Sequence, residues 1–245
     1  MRVYGIGKTD TGNIRSKNED SIFISNEPLG PLPNVYIVSD GMGGHLAGEI
    51  ASKKGIEFFC AYIDENTCAS DLLDFMVDAL SYANKQVYSL SLQDTDLTGM
   101  GATFSACVIK DGMLHIVHAG DSRVYYLDEK GMRQLTTDHT YVHEMLRAGQ
   151  ITENQAKLHP QRNIITKALG TEGELYADGK LLTVKNPSTV LLCTDGLTNM
   201  VSDNIIHSTV KNSQSTQEAV SALVSLANQH GGDDNISVIL IEVGR

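Results

Sequence analysis

The sequence has little positive charge for its size. Lysine and arginine together number 19 against 30 aspartates and glutamates, which gives the 245-residue chain a formal net charge of −11 and an isoelectric point of about 5.1. A nucleic-acid backbone is itself densely negative and would be repelled by such a chain. Nucleic-acid binding by a basic face is therefore excluded, and the excess carboxylates become the feature to explain.

Long apolar segments are also absent. No stretch approaches the roughly 18 residues of a membrane span, and the N-terminal MRVYGIGKTD lacks the apolar core of a signal peptide. The cysteines show no C-x-x-C spacing and are expected to be buried free thiols; they are Cys60, Cys68, Cys107 and Cys193. Both observations predict a cytoplasmic protein without membrane insertion.

No linker, repeat or low-complexity tract divides the chain, so we expect one domain over residues 1–245. Short β-branched runs predict strands at 3–6, 21–25, 35–39, 103–109, 113–119, 123–127, 189–194 and 235–243. Helical periodicity predicts helices over 46–60, 70–92 and 215–230, and the mixture indicates the α+β class. The polar segment 138–170 interrupts the strands, and a long excursion of this kind usually carries function, so we interpret it as a candidate lid.

Four aspartates share an unusual context at the end of an apolar run or directly before one. They are Asp40 in VYIVSDGMGG, Asp121 in HIVHAGDSR, Asp195 in VLLCTDG and Asp234 in GGDDN. Strand ends hold side chains rigidly, and oxygen ligands are those that Mg²⁺ and Mn²⁺ prefer, so we expect the four to converge on a metal cluster. Asp-Gly pairs are also common turn chemistry, and any one of these pairs alone would be interpreted as a turn.

A second polar group, Arg15, Asn18, Glu19 and Asp20, precedes the strand-like SIFIS. A guanidinium recognises phosphate in a planar, bidentate way, and neighbouring carboxylates can orient water on a metal ion. Alone, this segment would be only a polar loop. Its order before the strand and the D-G-M-G-G-H segment favours a functional role.

Three other motifs fail on spacing. A P-loop ending at Gly7-Lys8-Thr9 would need glycine at position 2, which is Arg2. Residues 41–44 lack the G-x-G-x-x-G spacing of dinucleotide-binding proteins. His139 and His143 are four residues apart, but Thr140 stands where the zinc protease motif H-E-x-x-H needs glutamate.

Eight ordered segments together resemble bacterial metal-dependent Ser/Thr protein phosphatases of the type 2C (PPM) family, over essentially the whole chain. The segments are TDTGNIRSKNED (9–20), DGMGGHLAGEIAS (40–52), GMGAT (99–103), GDSR (120–123), LTTDHT (135–140), HPQRN (159–163), CTDGLT (193–198) and GGDDNISV (231–238). A single D-G pair carries no weight, whereas eight blocks in family order are specific.

The resemblance implies a centre that binds two Mn²⁺ or Mg²⁺ ions. Asp40 would bridge both ions, the Gly41 carbonyl would bind one of them, and Asp195 and Asp234 would complete the site. Asp121 would share a third, weaker ion with Asp195.

The resemblance also implies roles around the ions. Glu19 and Asp20 would act mainly through water on the metals, and Arg15 corresponds to the phosphate-binding arginine. His45 is the candidate general acid, although eukaryotic relatives carry a histidine directly after D-G, where this chain has Met42.

Two positions depart from the family pattern without touching an implied ligand. Ala102 replaces a threonine of the G-M-G-T-T block, and Asn199 stands where aspartate is frequent. Residues 139–170 resemble the family's flap, a variable lid beside the active site.

The fold implied by the resemblance is a four-layer α/β/β/α sandwich of two mainly antiparallel sheets flanked by helices. The implied activity is hydrolysis of phosphoserine and phosphothreonine by direct attack of a metal-bridging water. The implied partners are phosphorylated proteins, namely a cognate bacterial Ser/Thr kinase and its targets. The chain is expected to be a monomer by default. Two alternatives stay open: a catalytically silent interaction module of the same fold, and a metal-dependent phosphodiesterase or nuclease, which the net charge disfavours.

Overall fold

The structure, a computed structural model, describes residues 1–44, 47–69 and 71–244. Its first sheet is antiparallel throughout. In spatial order the strands are β1 (Arg2–Asp10), β11 (Ile236–Gly244), β10 (Ser188–Cys193), β7 (Arg123–Asp128) and β8 (Gly131–Gln134). The first six residues of β11 are all buried because both faces of this strand are covered.

The second sheet is also antiparallel. Its order is β2 (Asp20–Ser25), β3 (Val35–Met42), β5 (Phe104–Lys110), β6 (Met113–Ala119) and β9 (Asp178–Thr183), with β4 (Gly101–Ala102) paired to the end of β3. The turn between β5 and β6 has Asp111 at φ +49° and Gly112 at φ +78°, the backbone of a tight hairpin that the KDG segment favours.

Helices cover the outer face of each sheet. On the second sheet lie α1 (Ala47–Glu65) and α2 (Leu72–Gln93), whose Phe59 and Met76 share an apolar cluster with Phe104 of β5. On the first sheet lie α6 (Asp203–Asn212) and α7 (Thr216–Gln229). A third cluster, including Tyr36 and Ile239, fills the space between the sheets, so the layers run α/β/β/α.

The predicted four-layer α+β architecture is confirmed, and each predicted strand and helix is found. Several shorter elements escaped prediction, among them β9 and α6. Five of the six residues of β9 are exposed, so its sequence lacks the alternation of a half-buried strand, and α6 buries only Ile206. Among the helices that the structure describes, none combines the length and hydropathy needed to cross a bilayer.

The candidate lid, residues 138–170, contains α3 (Tyr141–Arg147) and α4 (Glu153–Leu158). Its base is closed by β-bridges from Thr140 to Ile165 and from Ala102 to Leu169. The segment therefore leaves the sheets and returns to nearly the same point, beside the end of β3.

Candidate active site

The start of β2 and the end of β3 bring two acids together. Asp20 and Asp40 are paired residues of the antiparallel ladder. From the other sheet, Thr194 donates its hydroxyl to Asp20 Oδ2 at 2.8 Å, and Asp195 follows as the first residue of α5 (Asp195–Thr198). Acids from both sheets thus meet at one end of the sandwich.

Arg15 and Asp234 form the rim of this site. Arg15 Nη2 lies 2.9 Å from Asp234 Oδ2, and their side chains are 51% and 35% exposed. Asn235 N–H donates to Asp234 Oδ1 at 2.9 Å, and Asn235 Oδ1 accepts from Glu19 N–H at 2.8 Å. One asparagine thus joins the segment before β2 to the segment before β11.

The Asp-Gly step at Asp40 is required by close packing. Gly41 N–H donates to the Glu19 carbonyl at 3.1 Å, and a Cβ on Gly41 would collide with the carbonyl of Gly48 in α1. A Cβ on Gly48 would in turn lie 2.8 Å from Glu19 Oε1. The two glycines let the first turn of α1 press against the end of β3 and the side chain of Glu19.

Asp121 lies in the tight turn between β6 and β7. Gly120 has φ +106°, and a Cβ there would lie 2.6 Å from the Thr103 side chain, so the turn requires glycine. On the other side of Asp121, Ser122 Oγ lies 2.6 Å from Thr103 Oγ1. Thr103 therefore contacts the turn on both sides of Asp121.

The acids repel one another in a buried environment. Burial, followed by the charges of neighbouring aspartates, raises the pKa of Asp20 to about 7 and that of Asp121 to about 7. The same causes raise the pKa of Asp40 well above its ordinary value and raise that of Asp195. Asp20, Asp195, Asp121 and Asp234 all act on Asp40, so the five form one electrostatic cluster. A cation placed among them would remove the repulsion.

Two carboxylate oxygens of the cluster accept no hydrogen bond from the described part of the chain. Asp20 Oδ1 and Asp195 Oδ1 are buried and have no hydrogen-bond partner among the residues that the structure describes. Across residues 1–44, 47–69 and 71–244, no three His, Cys, Asp or Glu side chains are arranged so that they alone would hold an ion. An ion here would complete its shell with a main-chain carbonyl and water, as hard divalent cations commonly do, and the all-oxygen donor set suits such an ion.

The comparison with known protein families decides the identity. The profile of protein phosphatase 2C matches residues 14–237. The chain belongs to the protein phosphatase 2C family. The predicted family and enzyme class are thereby confirmed.

Curated relatives of this 2C phosphatase cover nearly its whole length. A serine/threonine phosphatase, stp, of Listeria welshimeri is 38% identical over 242 residues, covering 96% of this chain and 94% of that protein. The protein phosphatase PhpP of Streptococcus pneumoniae is 34% identical over 237 residues, covering 96% and 95%.

Solved structures agree with the fold. Serine/threonine phosphatase Stp1 of Staphylococcus aureus superposes with a TM-score of 0.92 at 30% identity, over 100% of this chain and 96% of that one. The catalytic domain of the phosphatase PstP, in a complex with two manganese ions, superposes with a TM-score of 0.87 at 30% identity, over 99% of each chain.

The structure gathers nearly all the site residues that the sequence predicted for this 2C phosphatase. At one end of the sandwich lie Arg15, Glu19, Asp20, Asp40, Gly41, Asp121, Asp195 and Asp234. His45, the candidate acid, lies outside the described residues.

Sequence reasoning missed the residues that orient the acids. Asn235 and Thr194 each stand next to a predicted site aspartate, and that adjacency is the signal that could have found them. Asn199, noted only as a departure from the family pattern, donates its amide to Asp195 Oδ2 at 2.9 Å. Ala102 is fully buried, and its backbone pairs with Leu169 at the base of the lid.

Proposed function

We propose that this chain is a metal-dependent phosphatase that hydrolyses phosphoserine and phosphothreonine in proteins by direct attack of water. The observation that carries the proposal is the buried cluster of aspartates, with two carboxylate oxygens unpartnered among the described residues. Family membership and relatives named as serine/threonine phosphatases support the substrate class.

The ligand set that we propose consists of oxygen atoms. Asp40, Asp195 and Asp234, with the Gly41 carbonyl, would hold two ions, and Asp121 with Asp195 would hold a third, weaker one. Bound Mn²⁺ or Mg²⁺ supplies a water of lowered pKa and positive charge opposite the phosphoryl oxygens.

Glu19 and Asp20 would orient water rather than bind an ion directly. Asp20 keeps Oδ2 on the Thr194 hydroxyl and leaves Oδ1 free to accept from a water molecule. Burial and the charge of Asp234 raise the pKa of Glu19, although Arg15 opposes that shift. These two acids would thus hold water at the edge of the ion site.

Arg15 would bind the substrate phosphate. Its side chain is half exposed, and the structure gives it one ion pair, with Asp234. A guanidinium carries five N–H donors in a planar fork, so further donors stay available for two phosphoryl oxygens. Asp234 would then hold the arginine in place.

His45 would protonate the serine or threonine oxygen that leaves. An imidazole with an ordinary pKa near 6.5 suits this role at neutral pH. This assignment rests on the sequence alone, because the residue lies outside the described part of the chain.

A cysteine nucleophile does not suit this site. Cys193 is the nearest thiol in sequence to Asp195, and it is fully buried, with its pKa raised to about 12 by burial. A thiol needs a lowered pKa to attack phosphorus at neutral pH. Hydrolysis without a covalent enzyme intermediate is therefore favoured.

The biological setting is also a proposal. We propose one catalytic domain over residues 1–245, a monomer in the cytoplasm, with a cognate bacterial Ser/Thr kinase and its targets as partners. The choice between Mn²⁺ and Mg²⁺ depends on metal availability, since both accept this donor set.

The test is phosphate release from a phosphothreonine peptide by the purified chain with Mn²⁺, with Mg²⁺ and with EDTA. We expect release with an added ion, none in EDTA, and a loss of at least about 100-fold in Asp40→Asn. Asp111→Asn is the matched control, because asparagine tolerates the left-handed backbone of that hairpin turn. A folded wild-type chain that releases no phosphate with either ion would favour the silent interaction module instead.

A further inference from the structure

Two histidines that the proposed chemistry does not use lie beneath the Asp121 turn. His118 belongs to β6, and His139 lies at the start of the candidate lid. Their rings are stacked, with centroids 4.9 Å apart and planes 24° apart. Both are largely enclosed: His118 is 1% exposed, and the His139 side chain is 11% exposed.

His139 holds the turn and an edge strand with opposite sides of one ring. Its Nδ1 accepts a hydrogen bond from Gly120 N–H at 3.0 Å, and its Nε2 lies 3.2 Å from Asp178 Oδ2 at the start of β9. Since one nitrogen accepts and the other faces a carboxylate, the partners assign the tautomer that carries hydrogen on Nε2. The His139 main-chain N–H also donates to the Gly120 carbonyl at 2.8 Å, so Gly120 is held twice.

His118 supports the ring from below. Its Nε2 faces the Thr137 carbonyl at 3.1 Å, and its Nδ1 lies 2.9 Å from Ser105 Oγ. These partners require hydrogen on Nε2 here as well. The contacts with Ser105 and Thr137 hold the His118 ring in place, and the His139 ring stacks on it.

Burial keeps both rings neutral. Burial, with His139 as the next cause, lowers the pKa of His118 to about 4. Burial and then Lys167 lower the pKa of His139, while Asp178 and Asp138 oppose the shift. Protonated Nδ1 on His139 would face the N–H of Gly120, donor against donor.

Asp178 extends the contact to the far side of the lid. Lys167 Nζ donates to Asp178 Oδ1 at 2.7 Å, and Thr166 N–H donates to the His139 carbonyl at 2.9 Å. Both ends of the lid therefore join β9 and the Asp121 turn through His139 and its partner acid.

We propose that His139 is a positioning residue: its Nδ1 fixes the Gly120–Asp121 turn, and its Nε2–H ties the lid to β9 through Asp178. The Gly120 N–H donates to Nδ1 of this ring, and the positive φ of Gly120 and its close contact with Thr103 mark a turn that is tightly packed. The consequence for turnover rests on the proposed function of Asp121, whereas the fixing of the turn does not.

Two substitutions test the contacts of the two His139 ring nitrogens separately. In His139→Asn, the amide oxygen can occupy the place of Nδ1 and accept from Gly120, but the side chain is too short for Asp178. In His139→Gln, the amide nitrogen can occupy the place of Nε2 and reach Asp178, but Gly120 loses its acceptor. His115→Gln is the control, because His115 is another buried histidine of β6 and no hydrogen bond within the described part of the chain joins it to the turn.

The first readout is hydrogen exchange at the Gly120 amide in metal-free protein. We expect exchange about tenfold faster in His139→Gln, because one hydrogen bond is lost, and nearly unchanged in His139→Asn and His115→Gln. The second readout is steady-state kinetics with Mn²⁺. His139→Gln should lower kcat with KM for a phosphothreonine peptide nearly unchanged, whereas His139→Asn should mainly raise that KM.

Equal effects of His139→Asn and His139→Gln on both readouts would overturn the proposal, since the ring would then merely fill space. Should either variant fail to fold, the ring nitrogens of wild-type His139 decide by ¹⁵N NMR. The proposal requires an unprotonated Nδ1 and a protonated Nε2, and the opposite tautomer would contradict it. A wild-type chain without phosphatase activity would contradict the proposed function. Hydrogen exchange at Gly120 and the tautomer of His139 would still test the positioning role.

Discussion

The main chain of Asp40 is bound on both sides by Thr103. Asp40 N–H donates to Thr103 Oγ1 at 2.9 Å, and the Asp40 carbonyl accepts from Thr103 N–H at 2.8 Å. Because Thr103 Oγ1 also meets Ser122 Oγ at 2.6 Å, one hydroxyl connects the central acid of the site to the turn that carries Asp121. This link accounts for a buried threonine between β4 and β5.

Thr103→Val should remove that link while keeping the shape of the side chain. It leaves the Asp40 N–H without its acceptor in a buried place, so we expect a loss of about 1–3 kcal/mol in unfolding free energy. Activity with Mn²⁺ should fall along with stability. Urea denaturation against Thr98→Val, at an exposed position, checks this; a stability equal to that of the control would show that the hydroxyl does not matter.

Arg15→Ala should weaken substrate binding. Loss of charge-assisted hydrogen bonds to phosphate, each about 1.5–3 kcal/mol, predicts a KM for a phosphothreonine peptide raised by about 10-fold or more. Arg15→Lys should recover only part of the loss, since lysine keeps the charge without the planar fork. Arg133→Ala, which removes an exposed arginine stacked on Tyr126, is the control. An unchanged KM in Arg15→Ala would remove this residue from the phosphate site.

His45→Ala should lower kcat and leave Mn²⁺ affinity intact. General acid catalysis contributes about 10²–10⁴-fold, and the loss should be smaller for p-nitrophenyl phosphate, whose leaving group needs no proton at neutral pH. The comparison of the two substrates distinguishes an acid from a binding group. Weakened Mn²⁺ binding, with equal losses on both substrates, would show that His45 serves the metal centre instead.

The stability of the metal-free protein should fall as pH rises. In the folded protein the pKa values of Asp20 and Asp121 are raised to about 7, above the ordinary value of 3.8, so these acids stabilise the folded state when they are protonated. Their contribution to the free energy of unfolding is fully present below about pH 4 and is lost as pH rises through 7. The loss is up to about 1.4 kcal/mol per pH unit for each proton involved. Chemical denaturation between pH 5 and 8 in EDTA measures the slope, and excess Mn²⁺ should reverse it at pH 8. A metal-free protein that gains stability over this range would contradict the burial of these acids.

The parts of the fold that repeat a simple pattern could be predicted from the sequence. The β-branched run of β11 is typical of a strand that is buried on both faces. The apolar stripe of α2 is typical of a helix that is buried on one face. The edge strand β9 could not be predicted, because five of its six residues face solvent and its position comes from pairing with β6.

The candidate site divides in the same way. Acids such as Asp40 and Asp195 stand out because each follows an apolar run. The residues that position the site do not stand out in the sequence. Asn235 contacts Glu19, 216 positions away in sequence, and His139 contacts Asp178 across the lid. Long-range contacts of this kind depend on the packing of the two sheets and carry no local signal.

The most direct test of the account is a calorimetric titration of Mn²⁺ into chelator-treated protein, comparing wild type with Asp195→Asn and with the hairpin control Asp111→Asn. We expect the wild type and the control to bind Mn²⁺ alike, and Asp195→Asn to bind at least about 100-fold more weakly with turnover nearly abolished, because a carboxylate at the centre of the cluster is lost. Equal Mn²⁺ affinity in all three proteins would contradict the assignment of this aspartate cluster as the metal centre.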